Sequence, residues 1–244
     1  MLSIEWLLFV PVAIAAMIRG YTGFGFAAIS ILAIGQWYPV HIAVPVVLLL
    51  DAVTGLPLLL GSWRQCCVRT LNSLLLAGVA GMPAGLFLLF YLEESTLRLL
   101  VALVILLMGL LSYLPSSVAQ SVIKSGWICG VMSGWTTSAV SAGGIPVIMH
   151  MVNSSLSLRK QRATLIMYFV ISSILCVSLI LMGTKDLDSV FDLFLGLLPV
   201  CISGALAGKV FFHFYETGRV QQIAFSFMML LASLSLIKAV YVVF

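Results

Sequence analysis

Charge is what this chain lacks. Only 8% of its 244 residues are Asp, Glu, Lys or Arg, against about 25% in soluble domains. So few charges cannot furnish a water-facing surface, which excludes a soluble enzyme or a cytosolic binding module. There is no Walker loop and no cluster of His, Cys and acidic residues at metal-ligand spacing. ATP-driven transport within this chain, metal chemistry and a cofactor are therefore not expected. The five cysteines, Cys66, Cys67, Cys129, Cys176 and Cys201, form no CxxC pair and read as small packing residues. Cys66 and Cys67 fall in a short polar loop, open to acylation. The opening MLSIEWLLFVPVAIA lacks the basic flank of a signal peptide and carries Glu5, so it is expected to stay in the mature protein. No extramembrane domain, linker or low-complexity tail is visible. The net charge of +4 does not point to nucleic acid.

What the chain does have is apolar length. Hydrophobic residues make up 62% of it, in runs near or above the roughly 20 residues that cross a bilayer. Lipid admits only helix bundles and closed barrels. Continuous runs without period-two alternation point to helices. The expected fold is all-α: a polytopic integral membrane protein forming one membrane domain.

Two stretches, LLLAGVAGMPAGLFLLFYLE (74–93) and LLPVCISGALAGKVFFHFYE (197–216), match 123 residues apart. Leu74, Leu75, Gly81, Ala84, Gly85 and Glu93 pair with Leu197, Leu198, Gly204, Ala207, Gly208 and Glu216. The register continues at Leu107/Leu230, Leu111/Leu234 and Ser112/Ser235. The shared G-x-x-A-G is a small-residue face, which lets helices approach closely in lipid. Two halves follow, 1–115 and 121–244. Each reads as a glycine-interrupted opening (4–37, 121–152), a helix (41–60, 163–182), the small-residue helix (70–92, 189–213) and a last helix (96–114, 219–242).

Sidedness comes from the cations. Arg64 and Arg69 lie in loop 61–69, and Arg159, Lys160 and Arg162 in loop 153–162. Both loops are expected in the cytoplasm by the positive-inside rule. Two helices and the second opening separate them, so that opening must enter and leave on one side, as a re-entrant hairpin or two crossings. With the same true of the first, each half has an odd number of crossings and the halves are inverted. Glu93, Glu94, Asp186, Asp188 and Asp192 then fall outside with Arg98 and Lys185, Lys124 and Arg219 fall inside, and the N-terminus is external. Inverted repeats are typical of secondary transporters.

The openings carry the chemistry. RGYTGFGFAAI (19–29) places an arginine and three glycines inside an apolar run, and GWTTSAVSAGGIPVI (134–148) interrupts the second half. A helix break survives in a membrane only where protein or a wet cavity satisfies its backbone. The half-helix that follows aims N–H groups and partial positive charge at that cavity, an anion site. Arg19 adds a permanent charge suited to an oxyanion. The candidate binding residues are Arg19, Gly20, Thr22, Gly23 and Gly25 from the first break. Those from the second are Thr136, Thr137, Ser138, Ser141, Gly143 and Gly144, with Pro146 placed to open a helix.

Asp51, in VVLLLDAVTGLP, is the one acid well inside an apolar helix. Such a carboxylate needs a partner or a proton. It is read either as counter-ion to Arg19 or as a proton-coupling group, against a water-facing Asp. His41, His150 and His213 fall near helix ends, and Lys209 is expected to snorkel. Trp6, Trp37, Trp63 and Trp127 suit interfacial belts. An intramembrane serine hydrolase would need a pair such as Ser133 and His150 in hydrogen-bond reach, but the surrounding GVMSGW does not fit a protease signature.

The glycine-broken openings, the RATL stretch (162–165) and the GALAG…FYETGRVQQ ending together resemble the TauE/SafE sulfite-exporter family, also called TSUP, over essentially the whole chain. The resemblance implies a multi-pass permease of the bacterial inner membrane for small sulfur-containing anions such as sulfite, sulfonates and sulfoacetate. The expected function is secondary transport of such an anion, with no enzyme activity. The expected partners are the bilayer and the anion, with a homo-oligomer compatible and no nucleic acid. A permease for another small metabolite, or a structural subunit of a membrane complex, are the alternatives.

Overall fold

Why the opening segments break where they do is plain from the backbone of the computed structural model, which describes residues 2–113, 125–184, 186–214 and Ser233. Helix α1 (Leu2–Thr22) stops at a three-residue interruption, and α2 (Phe26–Ile34) follows. Gly23 and Gly25 adopt φ values of +86° and +91°, which a side chain would resist. In the second half α6 (Gly126–Val140) and α7 (Gly144–Val152) flank an equal interruption, where Ser141 is left-handed at φ 55°. Both short helices have nine residues.

The other elements are α3 (Val40–Ser62), a 3-10 turn (Trp63–Gln65), α4 (Val68–Tyr91), α5 (Glu94–Tyr113), α8 (Leu158–Gly183) and α9 (Leu187–Phe214). All described regular structure is helical, and α3, α4, α8 and α9 each contain a span long and apolar enough to cross a membrane. The expected loop 153–162 is shorter than its charges suggested: α8 begins at Leu158, so Arg159, Lys160 and Arg162 are helical. Arg and Lys are good helix formers. The expected helix 219–242 apart from Ser233, and Lys124, Lys185, Glu216 and Arg219, lie outside the described residues.

Small residues decide which helices touch. A Cβ on Gly81 or Gly85 of α4 would overlap backbone of α6 at Val131 and Trp135, and one on Gly204 or Gly208 of α9 would crowd backbone of α1 at Ala13 and Met17. The facing residues correspond: Val131 with Ala13, Trp135 with Met17 and Ala139 with Tyr21, each pair 118 residues apart. The G-x-x-A-G faces thus bring backbones together, each against the opening helix of the other half. Both pairs run parallel, since later residues of one helix meet later residues of the other. Ser138 tightens the α4–α6 seam by donating to the Met82 carbonyl at 2.8 Å. Helices α3 and α8, second in each half, pack on one another at the centre.

The two ends of the bundle differ in charge. At one end the Cys67 N–H donates to Thr164 Oγ1 at 3.0 Å, joining the two basic segments. There a hydrogen bond from Thr70 pulls the Cys67 thiol below its ordinary pKa, while burial pushes Cys66 up. At the other end Glu94 accepts the Val40 N–H with both oxygens (2.9 and 3.0 Å) and caps α3. Arg98 holds Glu94 at 2.8 Å and donates to the carbonyls of Gly35 and Tyr38, tying down the end of α2. His41 lies 3.6 Å from Glu94 and 3.8 Å from Asp186. Trp37, Trp63 and Trp127 are exposed near helix ends. The Trp6 side chain lies outside the described residues.

Candidate functional site

Both interruptions open on the same cavity, of about 30 Å³, room for a water or two. Gly25, Ala27 and Ala28 bring the start of α2 to it; Gly143, Gly144 and Ile145 bring the start of α7. Neither helix start has a side-chain cap, so the first N–H groups of both are not met by side chains. Pro146 falls in the first turn of α7, where no amide hydrogen is needed.

Arg19 and Asp51 face each other across this cavity. The guanidinium Nη1 lies 2.8 Å from Asp51 Oδ1, with side chains only 1% and 2% exposed. Arg19 Nη2 also donates to the Asp51 carbonyl at 3.1 Å, and Ser173 donates to Asp51 Oδ2 at 2.8 Å. The Phe169 ring lies 5.9 Å from the guanidinium carbon. Of the two roles weighed for Asp51, the counter-ion geometry is the one observed, and Arg19 does not snorkel to an interface. Arg19 Nε and Ser141 Oγ are both buried without a hydrogen-bond partner. Buried polar groups are ordinarily hydrogen-bonded.

The sequence-predicted residues divide. Arg19, Gly25, Asp51, Thr137, Ser141, Gly143 and Gly144 line the cavity. Gly20 is a helix contact, where a Cβ would overlap the Ala205 carbonyl of α9. Thr22 closes the end of α1, donating to the Ile18 carbonyl (2.8 Å) and accepting the Phe24 N–H (3.2 Å). Gly23 turns the chain beside Arg162 and Ile166. Thr136 donates to the Met132 carbonyl of its own helix (2.7 Å), and Ser138 serves the seam with α4. Lys209 departs from expectation: its ammonium donates to the Pro57 carbonyl at 2.9 Å.

Three groups were not foreseen. Ser173 could have been found from the repeat, since it stands 122 residues after Asp51, the spacing between helices 41–60 and 163–182. Arg162, the first residue of RATL, donates to the carbonyls of Gly20 (2.6 Å) and Tyr21 (2.8 Å), the orphan acceptors at the end of α1. Ser133 donates to the Gly143 carbonyl (2.5 Å) and accepts from Tyr168 (2.8 Å). The hydroxyl considered as a hydrolase nucleophile is thus spent on fixing the second break. Among the described residues no three His, Cys, Asp or Glu side chains gather as metal ligands. Cys129, Cys176 and Cys201 are buried.

Two helix breaks, a buried arginine and two helix starts thus surround one cavity. No curated protein and no solved structure matches the chain significantly. The family model for the sulfite exporter TauE/SafE matches residues 8–236. The chain therefore belongs to the TauE/SafE sulfite exporter family, a family of membrane transporters.

Proposed function

We propose that this protein is a secondary permease for a small anion, with sulfur oxyanions such as sulfite and organosulfonates as the substrate class. One observation carries the reading: both helix breaks and the Arg19 guanidinium converge on a single buried cavity. Anions are favoured where helix N-termini point, and a fixed guanidinium matches an oxyanion's geometry. An uncharged metabolite would gain no charge-assisted bond from the guanidinium. Binding falls to Arg19, Thr137, Ser141 and the N–H groups that begin α2 and α7. Gly20, Thr22, Gly23, Thr136 and Ser138 support the breaks from behind.

Each opening is a re-entrant hairpin, and the halves are inverted. The support is directional. Helix α1 runs parallel to α9, which starts at the acidic end, yet α2 finishes at that same end, tied by Arg98 to Gly35. Helix α6 runs parallel to α4 from the basic end, and α8 starts again at the basic end soon after α7. The two tips thus meet from opposite leaflets, and alternating access proceeds around them. The setting is the bacterial inner membrane, basic end inward.

The test is reconstitution. Liposomes holding the purified chain should accumulate labelled sulfite or a small sulfonate, and Arg19→Ala should abolish that flux while the protein still elutes as one species from detergent. Flux at the wild-type rate in Arg19→Ala would remove the site.

A further inference from the structure

The cavity holds one cation and one anion of its own. Among the described residues, no other arginine, carboxylate, lysine or histidine lines it. Around Asp51 the facing groups are Arg19 from α1, Ser173 and Phe169 from α8, and Thr137 and Ser141 from the second break. The nearest cation on α9, Lys209, is bound two turns away at the Pro57 carbonyl. With both groups ionised, the charged side chains that line the site sum to zero.

Resting on the anion reading above, we propose that an anion occupies Arg19 only when Asp51 has taken up a proton, so that proton and anion cross the membrane together, one for one. With Asp51 ionised, an arriving monoanion would put two negative charges against one guanidinium among buried side chains, and a buried uncompensated charge is strongly disfavoured. With Asp51 neutral, the Nη1 end of the guanidinium, 2.8 Å from Oδ1, no longer faces a negative charge and turns to the substrate. It joins the two donors that now lack partners, Arg19 Nε and Ser141 Oγ. Site plus substrate is again neutral.

The proton comes from water on the side where the anion enters and adds to the Asp51 carboxylate. It leaves to water on the side where the anion departs, as the Arg19–Asp51 pair re-forms. Nothing else is made or consumed. Movement of a monoanion is then electroneutral, driven by the pH and anion gradients and blind to membrane potential. Ser173 serves both states, since its hydroxyl can donate to the carboxylate or accept from the acid.

Methanesulfonate is a suitable probe because it stays anionic across the usable pH range, so any proton that moves is carried by the protein. The full chain is reconstituted in liposomes with a lumenal pH dye, and the potential is clamped with potassium and valinomycin. At zero potential, external acid should drive uphill uptake to about tenfold accumulation per pH unit, the ratio that one-to-one linkage requires. A downhill methanesulfonate gradient should acidify the lumen by one proton per anion. Asp51→Asn, which keeps an acceptor for Ser173 but carries no proton, should lose accumulation under a pH gradient, leaving whatever flux persists to follow the potential. Flux that follows potential without lumenal acidification in the unaltered protein would overturn the coupling and leave the anion reading standing. Persistent pH-driven accumulation in Asp51→Asn would do the same. If methanesulfonate is not carried, ethanesulfonate, which also stays anionic throughout, takes its place with the same count of one proton per anion. Absence of flux for either probe would overturn both readings. Should Asp51→Asn fail to fold, the proton count in the unaltered protein still decides.

Discussion

Exchanging the charges at the Arg19–Asp51 pair one at a time, then together, should expose how strongly each depends on the other for folding. Both groups are almost wholly buried. Removing one member strands the other, at about 3–5 kcal/mol, whereas removing both costs far less. For a chain of this size a change of 1 kcal/mol moves the melting point by about 2–4 °C, so each single variant should lose roughly 6–20 °C. The two are not equivalent. In Asp51→Asn the guanidinium keeps its bond to the Asp51 backbone carbonyl (3.1 Å) but cannot shed its proton. Phe169, at 5.9 Å, stands at the outer limit of a useful cation–π contact. In Arg19→Met the carboxylate keeps the Ser173 bond and escapes by protonating. The loss in Arg19→Met should accordingly shrink as pH falls, and that in Asp51→Asn should not. The combined variant should melt within a few degrees of the unaltered protein. Thermal melts of the four proteins in one detergent, at neutral and acid pH, provide the measurement. Additive losses in the combined variant would refute the idea that the pair is one electrostatic unit.

Gly85→Ala and Gly208→Ala should each cost about 1–3 kcal/mol or more by forcing parallel helices apart, because the added methyl meets backbone. Gly196→Ala, with nothing within 4 Å, should be neutral or gain up to about 1 kcal/mol of helix propensity; equal effects at the three sites in melting experiments would count against the seams. At the basic end Cys67, its thiol pulled down by Thr70, should be thiolate at lower pH than Cys66 and react faster with maleimide below pH 8. A membrane-impermeant maleimide should reach it in inside-out vesicles only, and labelling of right-side-out vesicles would invert the assigned sidedness. Cys67→Ser removes the signal and identifies the site by mass spectrometry.

Much of the architecture could be read from the chain because glycine and charge are rare enough here to mean something. The positions of both interruptions followed from Gly23, Gly25 and Gly143. The close seams followed from Gly81, Gly85, Gly204 and Gly208, and the counter-ion of Arg19 from the scarcity of any other intramembrane acid. Hydroxyls were less legible. Thr136 and Ser138 stand one residue either side of Thr137 on α6, yet a helix turns neighbours by about 100°, so only Thr137 reaches the cavity. Which of three consecutive hydroxyls faces inward depends on the helix's rotation, fixed by its seam with α4. Arg162 was legible as charge but not as a cap. Its three neighbours in charge, Arg159, Lys160 and Arg69, give the same positive-inside signal, and only proximity to the end of α1 separates it from them.

Each small-residue helix lies against the opening helix of the opposite half. A chain severed anywhere between residues 113 and 125 would therefore yield two fragments, each with one bare glycine face and one uncovered broken rod. Neither fragment could satisfy itself, but each carries what the other is missing. Co-expressed pieces have reason to find one another.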